Sequence, residues 1–163
     1  MLLLATKIAL NLGNINMLGL IQRVSSASVS IENQIYGSIN QGILLLLGVE
    51  KNDSNAQIEH LLKKVLNYRI FNDDQGKMNL SLSDIEGDLL IVSQFTLVAD
   101  TNKGLRPSFS SAAPPAEAQA LYEHFLEQAK TACKGTVASG QFGADMQVSL
   151  CNDGPATFML NSK

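Results

Sequence analysis

The sequence predicts an α+β domain in which a β-rich, mostly antiparallel array of strands carries two main helices. Three observations predict it. Short segments with alternating or unbroken apolar residues are separated by turn clusters along most of the chain. Only two stretches show helical spacing, and each is preceded by a helix-start signal. The length, 163 residues, suits one domain, and no repeat, linker or low-complexity stretch divides it.

Taken in order, Leu20–Val24 and Ala27–Ile31 read as strands, the second alternating Val29 and Ile31 against Ser28 and Ser30. Asn33-Gln34 and Asn40-Gln41-Gly42 are turn signals around a short strand at Ile35–Ile39. Ile43–Val49 follows as a strand buried on both faces. Asp53 or Ser54 caps a helix with Ile58, Leu61, Leu62, Val65 and Leu66 on its apolar stripe, which leaves His60 on the solvated face. Asn72-Asp73-Asp74-Gln75-Gly76 is a turn. It lacks the spacing and closing Glu of a calcium loop. Leu89–Val92 is a buried strand leading into Ser93. Pro114-Pro115 opens the second helix, with Leu121, Phe125, Ala129 and Ala132 inward, His124 beside them in a structural place, and Gly135 at the end. Strands at Val137–Phe142, Met146–Cys151 and Ala156–Leu160 complete the chain.

Met1–Asn16 stands apart: it carries one positive charge and no small-residue cleavage pattern, so it is a poor signal peptide. The domain is read as residues 17–163, with residues 1–16 an extension outside its core.

Hydrophobic residues make up 45% and charged residues 17%, a globular composition and not a disordered one. The run Ile43-Leu44-Leu45-Leu46-Leu47 is far shorter than the ~20 residues of a membrane span. Cys133 and Cys151 form neither a disulfide framework nor a metal cluster and read as buried small hydrophobes of a cytoplasmic, reducing compartment. The formal charge of −3 excludes a large basic footprint for nucleic acid but leaves room for a small one. Lys103 and Arg106 are the candidates, either as phosphate contacts or as solvated loop charges.

Conventional sites are missing. The chain has no Gly-x-Ser-x-Gly elbow, no His-Glu-x-x-His, no Cys-x-x-Cys, no phosphate loop and no dinucleotide fingerprint. No metal or cofactor is therefore expected. An enzyme on this chain has to work with backbone donors, hydroxyls and its own substrate.

Two segments remain. Ser93-Gln94-Phe95-Thr96-Leu97 ends an apolar strand, where Ser and Thr ordinarily satisfy loop backbone groups. Asn152-Asp153-Gly154-Pro155 reads alone as a tight turn between strands. Together, and with Ile21-Gln22-Arg23-Val24, Asn79-Leu80-Ser81, Lys103-Gly104-Leu105-Arg106-Pro107-Ser108-Phe109, Ala112-Ala113-Pro114-Pro115 and Phe142-Gly143-Ala144-Asp145-Met146, they resemble the D-aminoacyl-tRNA deacylases (D-tyrosyl-tRNA deacylases). The resemblance covers Met17–Leu160 and departs at Val98, where an aromatic residue often stands, and at Ala156, where Val often does.

The resemblance implies a barrel-like fold of that family, a homodimer, and hydrolysis of the ester between a D-amino acid and the terminal adenosine of tRNA. It implies that Ser93, Gln94, Phe95 and Thr96 form the catalytic segment, with backbone N–H groups near Phe95 and Thr96 holding the oxyanion and the substrate 2′-OH assisting water. It implies a cis Gly154–Pro155 bond that enters the partner subunit's site and rejects L-amino acids, letting glycyl-tRNA through. Ala112, Phe142 and Met146 are the implied pocket lining. Thr96 is open to two roles: a positioning residue, or the covalent nucleophile of an esterase. A non-catalytic module that binds tRNA ends is the other alternative.

Overall fold

The fold is built around its first strand. In the computed structural model, which describes residues 16–163, β1 (Leu18–Ile31) runs for 14 residues without a break. The two strands predicted at 20–24 and 27–31 are one, because each half finds its own neighbour. β3 (Gly42–Gly48) pairs antiparallel with Leu18–Val24, and β2 (Gln34–Ile39) with Ala27–Ile31. The expectations for Met1–Asn16 fall, Asn16 excepted, outside the described residues.

The opposite edge of β1 is taken by β8 (Gln147–Asn161), antiparallel from Leu18↔Asn161 to Ser30↔Gln147. Of the three strands predicted at the C-terminal end, two have merged, and Asn152–Pro155 is not a hairpin turn. A hairpin needs its flanking strands to pair with one another; here both flanks pair with β1 and run the same way. The third is shorter than predicted: β7 spans Val137–Ser139.

β6 (Asp88–Ser93) lies parallel to β3, and β7 parallel to β6, so the sheet is mixed with order β2-β1-β3-β6-β7. Its ends nearly meet. A Cβ on Gly37 of β2 would stand 2.9 Å from the Ser139 carbonyl of β7, so only glycine lets the barrel draw this close. A small hairpin of β4 (Phe71–Asn72) and β5 (Met78–Leu80) carries the predicted turn, where Asp73 Oδ1 accepts from the Gln75 and Lys77 N–H groups at 2.9 Å each.

The strand period of two splits the apolar residues of β3 between two cores. Ile43, Leu45 and Leu47 face α1 (Asn55–Asn67) and α3 (Pro115–Ala132), while Leu44 faces the barrel interior with Val24, Val29, Leu90 and Val92. Burial on both faces is why the segment reads as an unbroken apolar run. α1 buries the predicted stripe and starts at Ser54, whose N–H donates to Gln57 Oε1 at 2.8 Å; His60 is exposed.

α3 buries Ala118, Tyr122, Phe125 and Ala129, whereas Leu121 is half-buried and Ala132 exposed. Tyr122 sets the face, because its hydroxyl reaches the carbonyls of Ile91 and Gly140 at 3.0 and 3.1 Å and so permits deep burial of the ring. The helix ends at Ala132, short of Gly135. A third, four-residue helix, α2 (Leu82–Ile85), is capped by Ser81. Neither cysteine is fully buried: Cys133 is half-buried and Cys151 lies exposed on β8, both as free thiols. No helix of the described residues is long and apolar enough to cross a membrane.

Candidate functional site

β6 delivers Ser93 to the surface beside Leu47, and the Gln94 N–H closes the ladder on the Leu47 carbonyl at 2.8 Å. The chain then tightens into a 3₁₀ turn over Phe95–Val98. Its hydrogen bonds begin with the Leu97 N–H on the Gln94 carbonyl, 3.2 Å, so the N–H groups of Phe95 and Thr96 precede the ladder. Among the described residues neither has an acceptor. They form an adjacent pair of free donors at a solvent-facing corner.

That corner borders a cavity of about 570 Å³ lined by Ser93, Phe95, Ala112 and Phe142 together with Lys51, Phe109 and Pro115. The Phe95 ring is 61% exposed and packs on Phe109 with centroids 5.1 Å apart, one wall of the opening. The loop carrying Phe109 is tied down by paired Asp100–Ser108 backbone bonds of 2.7 and 3.0 Å and by the Ser111 hydroxyl on the Val98 carbonyl at 2.6 Å. The Lys51 N–H donates to the Ser111 carbonyl, and the Ala113 N–H to the Val49 carbonyl, so the β3–α1 loop buttresses the same loop. Tyr122 packs behind Phe142, centroids 5.8 Å apart. Its burial pushes the phenol pKa upward, so it stays a protonated donor to the sheet carbonyls.

The lining is apolar apart from Ser93, Ser110 and Lys51; no carboxylate or imidazole faces it. Asp53, in the same loop as Lys51, has its carboxyl pushed up to about 6 by burial, which outweighs the lowering effect of the Glu50 N–H it accepts. Among the described residues no group of His, Cys, Asp and Glu is arranged to hold a metal.

Gln94 and Thr96 flank this cavity without lining it, and the Gln94 amide donates to Thr96 Oγ1. Among the described residues no carboxylate, imidazole or amine hydrogen-bonds that hydroxyl: the Asp100 carboxylate is turned to Asn102, whose N–H and side-chain amide it accepts at 2.9 and 2.8 Å. Met146 does not line the cavity but packs on the barrel core beside Gly140. Lys103 and Arg106 are exposed on the 99–114 loop, outside the lining.

Gly154 and Pro155 are also outside it. Thr157 pairs with Gln22 and Asn152 with Val24, so residues 153–156 stand opposite Arg23 alone and bulge out of the ladder. Arg23, only 6% exposed, lies under the bulge. Its Nε donates to the Asp153 carbonyl at 2.9 Å and its Nη1 to the Ile70 carbonyl at 2.6 Å, with Asp153 Oδ2 at 3.4 Å. Asn152 Oδ1 accepts from the Ala156 N–H at 3.0 Å and closes the loop from the other side. Gly154 has φ +134°, and a Cβ there would lie 2.8 Å from Arg23 Nη2. The Gly154–Pro155 bond is cis, and both residues are exposed. Sequence reasoning passed over Arg23. Its one signal was a cation inside an apolar strand, Ile21-Gln22-Arg23-Val24. Lys51 gave none, and Phe109 only its place in the Lys103–Phe109 block, since tertiary contact alone brings them to the cavity.

A sequence profile of the D-Tyr-tRNA(Tyr) deacylases matches residues 20–161. A D-aminoacyl-tRNA deacylase of Pseudoalteromonas translucida (strain TAC 125) is 65% identical over 144 residues, 88% of this chain and 99% of its own length. One from Pseudomonas fluorescens (strain SBW25) is 59% identical over 146 residues, 90% of this chain and 100% of its own. Among solved structures, the c-Myc DNA unwinding element binding protein superposes with a TM-score of 0.83 at 41% identity, covering 88% of this chain and 97% of that one. A probable eukaryotic D-amino acid tRNA deacylase shares the fold with a TM-score of 0.72 at 18% identity, covering 90% and 99%.

Proposed function

This chain belongs to the D-Tyr-tRNA(Tyr) deacylase family of hydrolases, and we propose that it cleaves the ester between a D-amino acid and the ribose of a tRNA's terminal adenosine. The observation that carries the reading is the pair of N–H donors at Phe95 and Thr96, unpaired among the described residues, beside a largely apolar cavity that no carboxylate or imidazole lines. Fixed backbone donors of this kind stabilise the oxyanion of acyl transfer, and one such donor is worth about 3–4 kcal/mol elsewhere.

In the proposed step a water oxygen bonds to the ester carbonyl carbon, the carbonyl oxygen takes the charge against the two N–H groups, and the bond to the ribose 3′-oxygen breaks. The water's proton ends on that 3′-oxygen, relayed or oriented by the substrate's 2′-OH. Thr96 positions the loop through Gln94; a nucleophilic Thr needs an adjacent base, and the Thr96 hydroxyl has only an amide beside it. Ser93, Ala112 and Phe142 take the aminoacyl and adenosine ends, and Lys103 and Arg106 meet tRNA phosphates.

The protein acts as a homodimer in this reading, with the Gly154–Pro155 bulge of each subunit entering the other's cavity. Two features support it. Gly154 and Pro155 are exposed, and among the described residues one edge of β8, 15 residues long, has no partner strand, an arrangement that folded proteins usually cover. Backbone in that position cannot yield to the side chain of an L-amino acid, whereas glycine has none to exclude, so glycyl-tRNA is also cleaved. Residues 17–163 suffice for this activity, since Met17 is itself buried and bonded through its N–H to the Ser162 hydroxyl at 3.0 Å.

Purified protein given D-Tyr-tRNA and L-Tyr-tRNA in parallel is expected to release only the D-amino acid at a catalytic rate. Equal rates, or none, would overturn the proposal.

A further inference from the structure

The chain carries a net negative charge, yet one face of it is basic. The exposed side of α1 and the C-terminal residues enclose a groove of about 400 Å³ lined by His60, Lys63, Lys64, Asn67, Tyr68 and Lys163. A second groove of about 380 Å³ shares Asn67 and Tyr68 and continues past Arg69 to Met78 and Phe158. Neither lining contains an Asp or Glu side chain; the one carboxylate is the terminal group of Lys163, which Lys64 engages. The nearest acid along α1 is Glu59, and among the described residues no ion pair with Asp or Glu within 4.0 Å involves any of these four cations.

Two of the cations are held in place. Lys64 Nζ donates to the Asn161 carbonyl at 2.8 Å and to a terminal carboxylate oxygen of Lys163 at 3.2 Å, which fixes the C-terminal segment against the helix. Arg69 donates to the Asn79 carbonyl at 2.7 Å and to its Oδ1 at 3.0 Å. Lys63 and Lys163 are left free to meet a ligand. Tyr68, at the junction of the grooves, stands edge-on to Phe158 with centroids 5.7 Å apart.

This face is mechanically continuous with the bulge. Ile70, two residues beyond Tyr68, accepts from Arg23, and Arg23 also holds the Asp153 carbonyl. The basic face and Gly154–Pro155 are thus fixed relative to each other through one buried side chain.

We propose that this face is a second phosphate-binding surface, beyond Lys103 and Arg106, for the acceptor arm of the tRNA whose aminoacyl end occupies the cavity next to the bulge. The inference rests on the proposed deacylation and deepens it. A polyanion is the occupant that charge selects: Lys64 engages the terminal carboxylate and Arg69 lies near Asp73, but Lys63 and Lys163 keep their charge unpaired among the described residues, on a chain that would otherwise repel nucleic acid. The groove's continuity with the bulge selects the tRNA already engaged at the reactive end. Phosphate contacts of this type position the nucleic acid without reading its sequence.

The test uses the Lys63→Glu/Lys163→Glu variant of the full chain, which leaves the anchoring Lys64 in place, and a Lys63→Gln/Lys163→Gln variant as the milder change. Deacylation is measured on D-Tyr-tRNA and on D-tyrosyl-adenosine, which has the reactive ester and no phosphodiester. The expected result is a KM for D-Tyr-tRNA raised at least about fivefold, kcat unchanged, and a salt slope reduced by about 0.9 for each lysine lost. Cleavage of D-tyrosyl-adenosine is expected to stay at the wild-type rate. An unchanged KM and salt slope for D-Tyr-tRNA in both variants overturns the inference. Failure of the wild type on both substrates would instead remove the deacylase reading beneath it.

Discussion

The Ser93–Leu97 loop and the Asn152–Pro155 bulge sit in opposite circumstances. The first is concave and backed by its own chain: β6 anchors it, the 99–114 loop walls it, and the β3–α1 loop buttresses that wall. The second is convex, held from behind by Arg23 and from within by Asn152, with Gly154 and Pro155 left exposed by the described residues. One has donors and a cavity without a selective element; the other has rigid exposed backbone without a cavity. In the proposed reading the difference makes each of them half of a site, completed by a second copy of the chain.

Dilution is the strongest way to break that comparison. A folded monomer keeps both halves but cannot bring them together, so deacylation is expected to vanish as the dimer dissociates, with the far-UV spectrum retained. Sedimentation and activity measured on one dilution series check this; a verified monomer with full activity would show that each chain carries a complete site.

The next effect concerns the concave half. A D-Tyr-tRNA ending in 2′-deoxyadenosine, charged on its 3′-OH, is expected to be hydrolysed slower by about 10²–10⁴, the usual contribution of a proton-transfer partner. Thr96→Ala is expected to stay within about tenfold of wild type, because it removes only the acceptor of the Gln94 amide. If the two results exchange, Thr96 is the nucleophile and the substrate hydroxyl is a bystander.

Gly154→Ala probes the convex half alone. At φ +134° an L side chain is strained, and the new Cβ would press on Arg23 Nη2. The variant is expected to fold, to dimerise, and to lose about 100-fold in kcat/KM, the scale of an ångström-level misplacement. A loss confined to stability would make the bulge structural only.

The halves also differed in how far the sequence exposed them. Strands β2, β3 and β6 and helix α1 follow from local pattern, since alternation, an apolar run and a capped stripe are short-range signals. The Ser93–Leu97 loop was visible as the end of such a run. The bulge was not: Asp-Gly is a hairpin signal on any local reading, and only the shared partner β1, more than a hundred residues away, turns it into an excursion of residues 153–156 against Arg23. The stripe of α3 was misplaced for a related reason. Tyr122 is buried because distant carbonyls of Ile91 and Gly140 receive its hydroxyl, which no helical periodicity encodes.

The smallest expected effect lies in the buttress of the concave half. Asp53 Oδ2 accepts from the Glu50 N–H at 2.7 Å, while its Oδ1 is buried with no partner. Burial raises its pKa from 3.8 to about 6, against the lowering effect of the Glu50 N–H bond and with a smaller rise from the Glu50 charge. The folded protein therefore holds this proton more tightly than the unfolded chain does, and stability falls as pH rises from about 4 to about 6, then levels off. Asp53→Asn keeps an acceptor for Glu50 and removes the charge, so its benefit exists only where the native carboxyl is ionised. Because the side chain is half-buried and partly screened by water, the gain is small: a Tm higher by about 2 °C at pH 8, absent at pH 4. Thermal unfolding at both pH values checks it, with kcat/KM on D-Tyr-tRNA expected to be unchanged since the buttress stays in place. A gain equal at both pH values would mean that packing, and not the buried charge, limits stability in this loop.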